Sequence, residues 1–345
     1  MEHRKEINDC LVQWIRCKAE QEYPEDIALV CVYGSWLSGT MNRLSDVDCY
    51  FIPKTERSFA FARTFILEGV GYDIFPMGWE RLEEIASLRS PMQPLVGDVQ
   101  ILYCADPADL ERFRALQQQM LNNLQDDAYV RRIAEDKCRE AAGILTVPSR
   151  KAAAHAATVL AYAATVCCRE YNRLGMKGQY ADLVRLAPWA ADYYQRIAQS
   201  ENAAGAMAAA RAFLEDSCAR LGADIPEAVS EMPEKQSVRI DTDILRDIYQ
   251  EICSTFNKIY IFCETGNAIG AFYAAGGLQY ELDECMAFGL PAYPLLDGFD
   301  HRELLAFAEH TRRIEAQLVR FIENGGTRLK RYASFGEFER DANSV

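Results

Sequence analysis

The sequence predicts an α+β protein: a mixed sheet with flanking helices over residues 1–120, followed by an all-α helical region. Two observations carry this expectation. Short runs of branched and aromatic residues, each closed by glycine or proline, crowd the first third of the chain. Beyond it strand signals nearly vanish, and apolar residues recur at three- and four-residue spacing.

Taken in order, Ile7, Cys10, Leu11, Trp14 and Ile15 stand at helical spacing and predict an amphipathic first helix. The run IALVCVY that follows is short, apolar and stops at Gly34, as a buried strand does. DVDCYFI, ended by Pro53, reads as a second strand, GVGYDIFPM as a third and DVQILYC as a fourth. Asp106-Pro107 then opens a helical pattern through Leu110, Phe113 and Leu116. Residues 125–220 are alanine-rich, interrupted at Pro148, Gly175, Gly178 and Pro188, and predict an antiparallel bundle. The stretch 222–238 holds two prolines without periodicity and reads as a linker or long loop. Ile244, Leu245, Ile248, Tyr249, Ile252, Phe256, Ile259, Tyr260 and Cys263 mark a long helix with one apolar face. A last helix is expected between a capping box at Asp300 and Glu303 and a stop at Asn324-Gly325-Gly326. The expected domains are therefore 1–120, 121–222 and 223–345.

The 345 residues include 51 acidic and 37 basic side chains, a net charge of -14. Such a field repels the phosphate backbone of a nucleic acid and favours a cationic small molecule. The twelve cysteines are scattered, without a Cys-x-x-Cys pair, and read as reduced thiols. The charged N-terminus lacks the apolar stretch of a signal peptide, so a cytoplasmic location is expected. The uncharged, alanine-rich run Ala152–Cys168 is too short and too weakly apolar for a membrane span; it reads as a buried bundle helix with His155 as a satisfied core residue. No membrane partner is expected, and a homo-oligomer is left open.

The chemistry-bearing stretch is VYGSWLSGTMNRLSDVDCYFIPK, residues 32–54. Side chains two apart on a strand point to one side, so Asp46 and Asp48 project together while Val47 packs into the opposite layer. Two carboxylates so placed can share a pair of magnesium ions, which prefer oxygen ligands and keep positions open for substrate phosphates. Gly34 lets backbone amides approach a phosphate, and Ser35 adds a hydroxyl at a helix start. Asp73, mid-strand in GYDIF between apolar neighbours, is a costly charge without a metal or proton partner. Tyr33 and Trp36 flank the turn; Tyr33 reads as core, and Trp36 is left between packing and stacking on a base.

Written out, Gly34-Ser35-x-x-x-Gly39-x5-Ser45-Asp46-x-Asp48, followed by Asp73, resembles the nucleotidyltransferase superfamily with the polymerase-β-like palm. Within it the resemblance is greatest to the aminoglycoside-type small-molecule branch, whose usual alanine and arginine before the second glycine are Leu37 and Ser38 here. The resemblance implies that Asp46, Asp48 and Asp73 hold two magnesium ions, with Asp73 as either third ligand or base. It also implies that Gly34, Ser35 and Ser45 hold the triphosphate of a nucleoside triphosphate co-substrate. NRLGMKGQYADLVRLAP, 172–188, is similar to the helical-domain segment of antibiotic adenylyltransferases, which implies ATP as donor, Lys177 on the phosphates and Tyr180 near the nucleotide. The expected activity is transfer of a nucleoside monophosphate to a hydroxyl of a small, cationic, aminoglycoside-like acceptor. Two rivals stand beside it: a non-catalytic nucleotide-binding regulator, and nucleotidyl transfer to RNA or a protein side chain. Residues 236–345 carry no such resemblance.

Overall fold

The computed structural model describes residues 2–170, 179–226 and 240–343. The N-terminal part runs α1 (Glu2–Glu22), β1 (Ile27–Tyr33), α2 (Gly34–Ser38), β2 (Asp48–Pro53), β3 (Arg63–Leu67), β4 (Val70–Pro76), α3 (Trp79–Ala86), α4 (Pro94–Gly97), β5 (Gln100–Cys104) and α5 (Pro107–Gln125). Helices follow: α6 (Asp127–Ile144), α7 (Arg150–Val166), α8 (Gln179–Leu186), α9 (Pro188–Ala198), α10 (Ala203–Leu221), α11 (Thr242–Glu264), α12 (Ala268–Glu284) and α13 (Leu304–Asn324). A two-residue strand, β6 (Arg331–Tyr332), and α14 (Phe335–Ala342) end the described chain. The class is α+β, as the sequence predicts.

The chain forms two compact units. The first holds Met1–Met120, Asp243–Asn257 and Ile322–Val345; the second holds Leu121–Thr242 and Lys258–Phe321. The segment from 223 onward, expected as a region of its own, is thus shared between the two, and most of the expected linker lies outside the described residues.

In the first unit six strands form one mixed sheet in the order β5-β1-β2-β4-β3-β6. β2 runs antiparallel to β1 and parallel to β4, and β6 lies parallel to β3 at the edge. Two strands escaped the sequence reading. β3 sits in the near-continuous apolar run SFAFARTFIL, where no alternation marks a strand; it joins β4 through Glu68-Gly69, both with positive φ. β6 has only two residues and is made a strand by its partner rather than by its own propensity.

One face of the sheet, with Val30, Val32, Cys49, Phe51, Phe65 and Ile74, packs on Leu11, Trp14 and Ile15 of α1 and Phe338 of α14. Trp14 meets the Phe338 ring edge-on at 5.0 Å, and Phe65 stacks on it at 4.2 Å. Cys10, counted in the apolar stripe from its spacing, is exposed. The early part of α11 lies on the other face. Its Gln250, fully buried, donates through Nε2 to the Thr64 carbonyl at 3.1 Å and accepts at Oε1 from the Lys330 amide at 2.7 Å, tying β3 to the chain before β6.

That approach requires a glycine at 71. A Cβ there would meet the Gln250 carbonyl oxygen at 2.5 Å and the Cys253 Cβ at 2.8 Å. Gly71→Ala is therefore expected to push α11 off the sheet and to cost about 1–3 kcal/mol, as overpacking does. Urea unfolding measures it, and an unchanged midpoint would contradict so close an approach.

In the second unit α7 is buried along nearly its whole length, as expected of a bundle helix rich in alanine. Small side chains let neighbours come close: a Cβ on Gly276 of α12 would touch that of Ala154 at 3.0 Å. Arg150 donates to the carbonyls of Phe299 at 2.8 Å and Ser200 at 2.6 Å. His155, expected in the core, is exposed instead, its ring edge-on to Tyr280 at 5.7 Å. A helix with alanine on every side leaves the periodicity no way to tell which side a single histidine takes. Among the described residues, no helix is long and apolar enough to cross a membrane.

Candidate functional site

β1 ends at Tyr33, and the chain turns at once into α2 through Gly34, whose φ is +76°. Glycine alone adopts this angle without strain, and space demands it too, because an added Cβ would fall inside the Asp48 carboxylate. The register sets that proximity: Tyr33 pairs with Asp48 across β1 and β2. Gly39, at φ +71°, closes the short helix. Ser35 is 5% exposed, and its hydroxyl has no hydrogen-bond partner among the described residues. A buried hydroxyl beside a glycine turn suits a phosphate oxygen, which would accept from it.

Of the two aspartates expected on one strand, Asp48 alone lies in β2, because the strand begins there and Asp46 falls on the loop that enters it. Val47 is buried in the α1 face of the sheet, and Asp48 opens β2 on the opposite face. Asp46 lies on the loop just before the strand and is 8% exposed; among the described residues its carboxylate has no ion-pair partner. Asn8 of α1 fixes that loop. Its Nδ2 donates to the carbonyls of Ser45 at 3.1 Å and Asp46 at 3.2 Å, and its Oδ1 accepts from the Tyr72 hydroxyl at 2.6 Å.

Asp73 stands next to Asp48 on the sheet, since each precedes by one residue the Cys49–Ile74 pair of the parallel strands β2 and β4. Burial raises its pKa from 3.8 to about 7, and the carboxylates of Glu251 and Asp46 add to the effect. Glu251 itself, open to solvent on α11, is pushed up by the protein packed around it. The Tyr33 phenol is held well above its usual value, first by burial and then by the charges of Asp48, Asp46 and Asp73. All three acids therefore lie within electrostatic reach of the strand end that leads into the Gly34 turn.

The other expected site residues have protein partners or lie outside the described residues. Ser45 is fully buried, and its hydroxyl accepts from the Asn42 amide at 2.9 Å, bracing the loop that carries Asp46. Trp36 donates its indole N–H to Asp9 of α1 at 2.8 Å and packs beside the core, which ties α2 down. Tyr180, in the second unit, donates its hydroxyl to Gln195 at 3.0 Å and stacks on Tyr194. Lys177 lies outside the described residues.

Two residues that act on the site went unnoticed in the sequence. Asn8 carried a signal, being a polar residue on the apolar stripe of α1. Glu251 carried none, because nothing local links it to Asp73.

The chemistry of this donor set fits a divalent cation bound together with a phosphate. Among the described residues the buried Asp46 carboxylate has no cation partner and the Ser35 hydroxyl has no hydrogen-bond partner, and Asp48 lies two residues on. Among the described residues, no group of three or more His, Cys, Asp or Glu side chains is set to hold a metal by itself. Phosphate oxygens of a bound substrate would then complete the coordination of a cation held there.

No protein-family model matches the sequence, and no curated protein matches it. Among solved structures, a nucleotidyltransferase-like protein from Exiguobacterium sibiricum is similar at 10% identity and a TM-score of 0.32, over 63% of this chain and 78% of that one.

Proposed function

We propose that the first unit transfers a nucleoside monophosphate, AMP by the motif resemblance, from a magnesium-bound nucleoside triphosphate to a hydroxyl of a small acceptor. The observation that carries this is a glycine-serine turn set against Asp48, with Asp73 beside Asp48 on the sheet, Asp46 on the loop before it, and a buried Ser35 hydroxyl that has no hydrogen-bond partner among the described residues. Two magnesium ions held by Asp46 and Asp48 would supply charge neutralisation on the α-phosphate and on the departing pyrophosphate.

The protein's own part is positional and acid–base. Asn8 holds the Asp46 loop against α1, and Gly34 sets Asp48 directly against the turn. Ser35 donates to a phosphate oxygen. The acceptor oxygen attacks the α-phosphorus, its proton passes to Asp73, and the bond to pyrophosphate breaks with its electron pair on the leaving oxygen. A carboxylate whose pKa lies near 7 is suited to that proton.

A non-catalytic regulator would have no use for a carboxylate with a raised pKa between two others, and so is the lesser reading. The test is pyrophosphate release from magnesium–ATP with a panel of hydroxyl-bearing acceptors. Release is expected only when an acceptor is present. Tight ATP binding without release across the panel would favour the regulator.

A further inference from the structure

Beside Asp73 the first unit carries a cavity of about 420 Å³, walled by Ala62, Arg63 and Thr64, by Ile74–Pro76 of β4, by Asp247 and Glu251 of α11, and by Lys330. Its size suits a molecule of one or two rings rather than a polymer. The buried Gln250 holds three of these walls in register through Thr64 and Lys330.

The charges on the walls are unbalanced locally. Among the described residues, neither Arg63 nor Lys330 meets a carboxylate within ion-pair distance, and Glu251 meets no cation. The Arg63 guanidinium is steadied by the carbonyls of Ala60 and Ala62 rather than by an acid. Asp247 is committed to its neighbour Arg246 at 2.8 Å. Opposite charges that share a cavity without pairing with each other are free to pair with a ligand carrying both signs. A polycation would meet Arg63 and Lys330 as like charges, and a pure anion would meet Glu251 and Asp73.

We propose that this cavity is the acceptor subsite and takes a small hydroxyl-bearing zwitterion, its ammonium group on Glu251 and its phosphate or carboxylate on Lys330 and Arg63. The proposal rests on the transfer reading, for which Asp73 at the cavity wall receives the acceptor's proton. An amino sugar bearing a phosphate is the model ligand.

Calorimetry on the full chain, with magnesium–ATP affinity measured alongside, tests it with four hexoses. These are glucosamine phosphorylated at its primary hydroxyl, unmodified glucosamine, glucose phosphorylated at the same hydroxyl, and glucose. The doubly charged sugar should bind about tenfold tighter than either singly charged one, the worth of the one further charge-assisted contact it makes. Glu251→Gln should remove the advantage given by the amine and Lys330→Ala that given by the phosphate, each leaving magnesium–ATP affinity within about twofold. Equal or weaker binding of the doubly charged sugar, or no binding of any of the four, with ATP affinity intact overturns the zwitterion subsite and leaves the transfer reading standing. Absence of magnesium–ATP binding overturns both.

Discussion

Asp46→Asn and Asp48→Asn are each expected to lower nucleotidyl transfer by about a thousandfold, the scale on which a preorganised electrostatic group acts in a shielded site. The amide keeps the shape of the carboxylate and removes its charge, so the loss falls on cation holding rather than on packing. The fold should survive. Asn8 holds the Asp46 loop through backbone carbonyls, which the substitution retains. At Asp46 the change also removes a buried carboxylate that has no cation partner among the described residues, so the melting temperature should stay level or rise. Pyrophosphate release with a verified acceptor, read beside the melting temperature, checks both halves. Near-normal turnover in either variant would remove the two-carboxylate assignment.

Asp73→Asn is expected to abolish transfer while stabilising the protein in a pH-dependent way. The pKa of Asp73 lies at about 7 in the folded chain against 3.8 for an unperturbed group. Between those values the native state holds a proton that the unfolded state has released. For this group stability is thus greatest below about pH 4, falls as the pH rises, and carries its full penalty above about pH 7. The shift corresponds to about 4 kcal/mol at the usual conversion, and solvent reaching a half-buried carboxylate reduces it to about 2 kcal/mol. Asp73→Asn should therefore exceed the wild type in stability by about that amount at pH 8, with the difference fading toward pH 4. Wild-type transfer should rise with pH through about 7, as the carboxylate becomes able to accept a proton. Denaturant midpoints at three pH values decide the stability part. A variant equal to wild type at pH 8 would show that Asp73 is not held at a cost. A structural acid paired with a cation would behave oppositely, its loss destabilising the fold most at high pH.

The site was legible in part because its signals are local. The period of two along a strand put Val47 on the core face and Asp48 on the other, and a glycine-serine pair after a buried strand announced the turn that Gly34 makes. The cost of a charge amid apolar strand neighbours marked Asp73, and its raised pKa follows from that burial. The Ser45 hydroxyl accepts from a loop amide three residues before it, a use of a serine that residue type does not distinguish from holding a phosphate. Trp36 turned inward for a similar reason, its indole N–H finding Asp9 one helix away.

By itself the sequence determined the α+β class, four of the six strands, the long helices and the aspartate pair, since each rests on periodicity or turn chemistry within a few residues. Only the tertiary structure decided which distant segments complete the first unit. Residues 243–257 and the last two dozen or so of the chain join the sheet, bringing Glu251 to Asp73, Gln250 to Thr64 and Lys330, and a sixth strand to β3. Those placements depend on burying an apolar helix face on the uncovered side of the sheet and on a glycine at 71 that lets it approach. Packing between segments remote in sequence leaves no local period to read, and so the charge that tunes Asp73 and the cavity beside it belong to the folded chain alone.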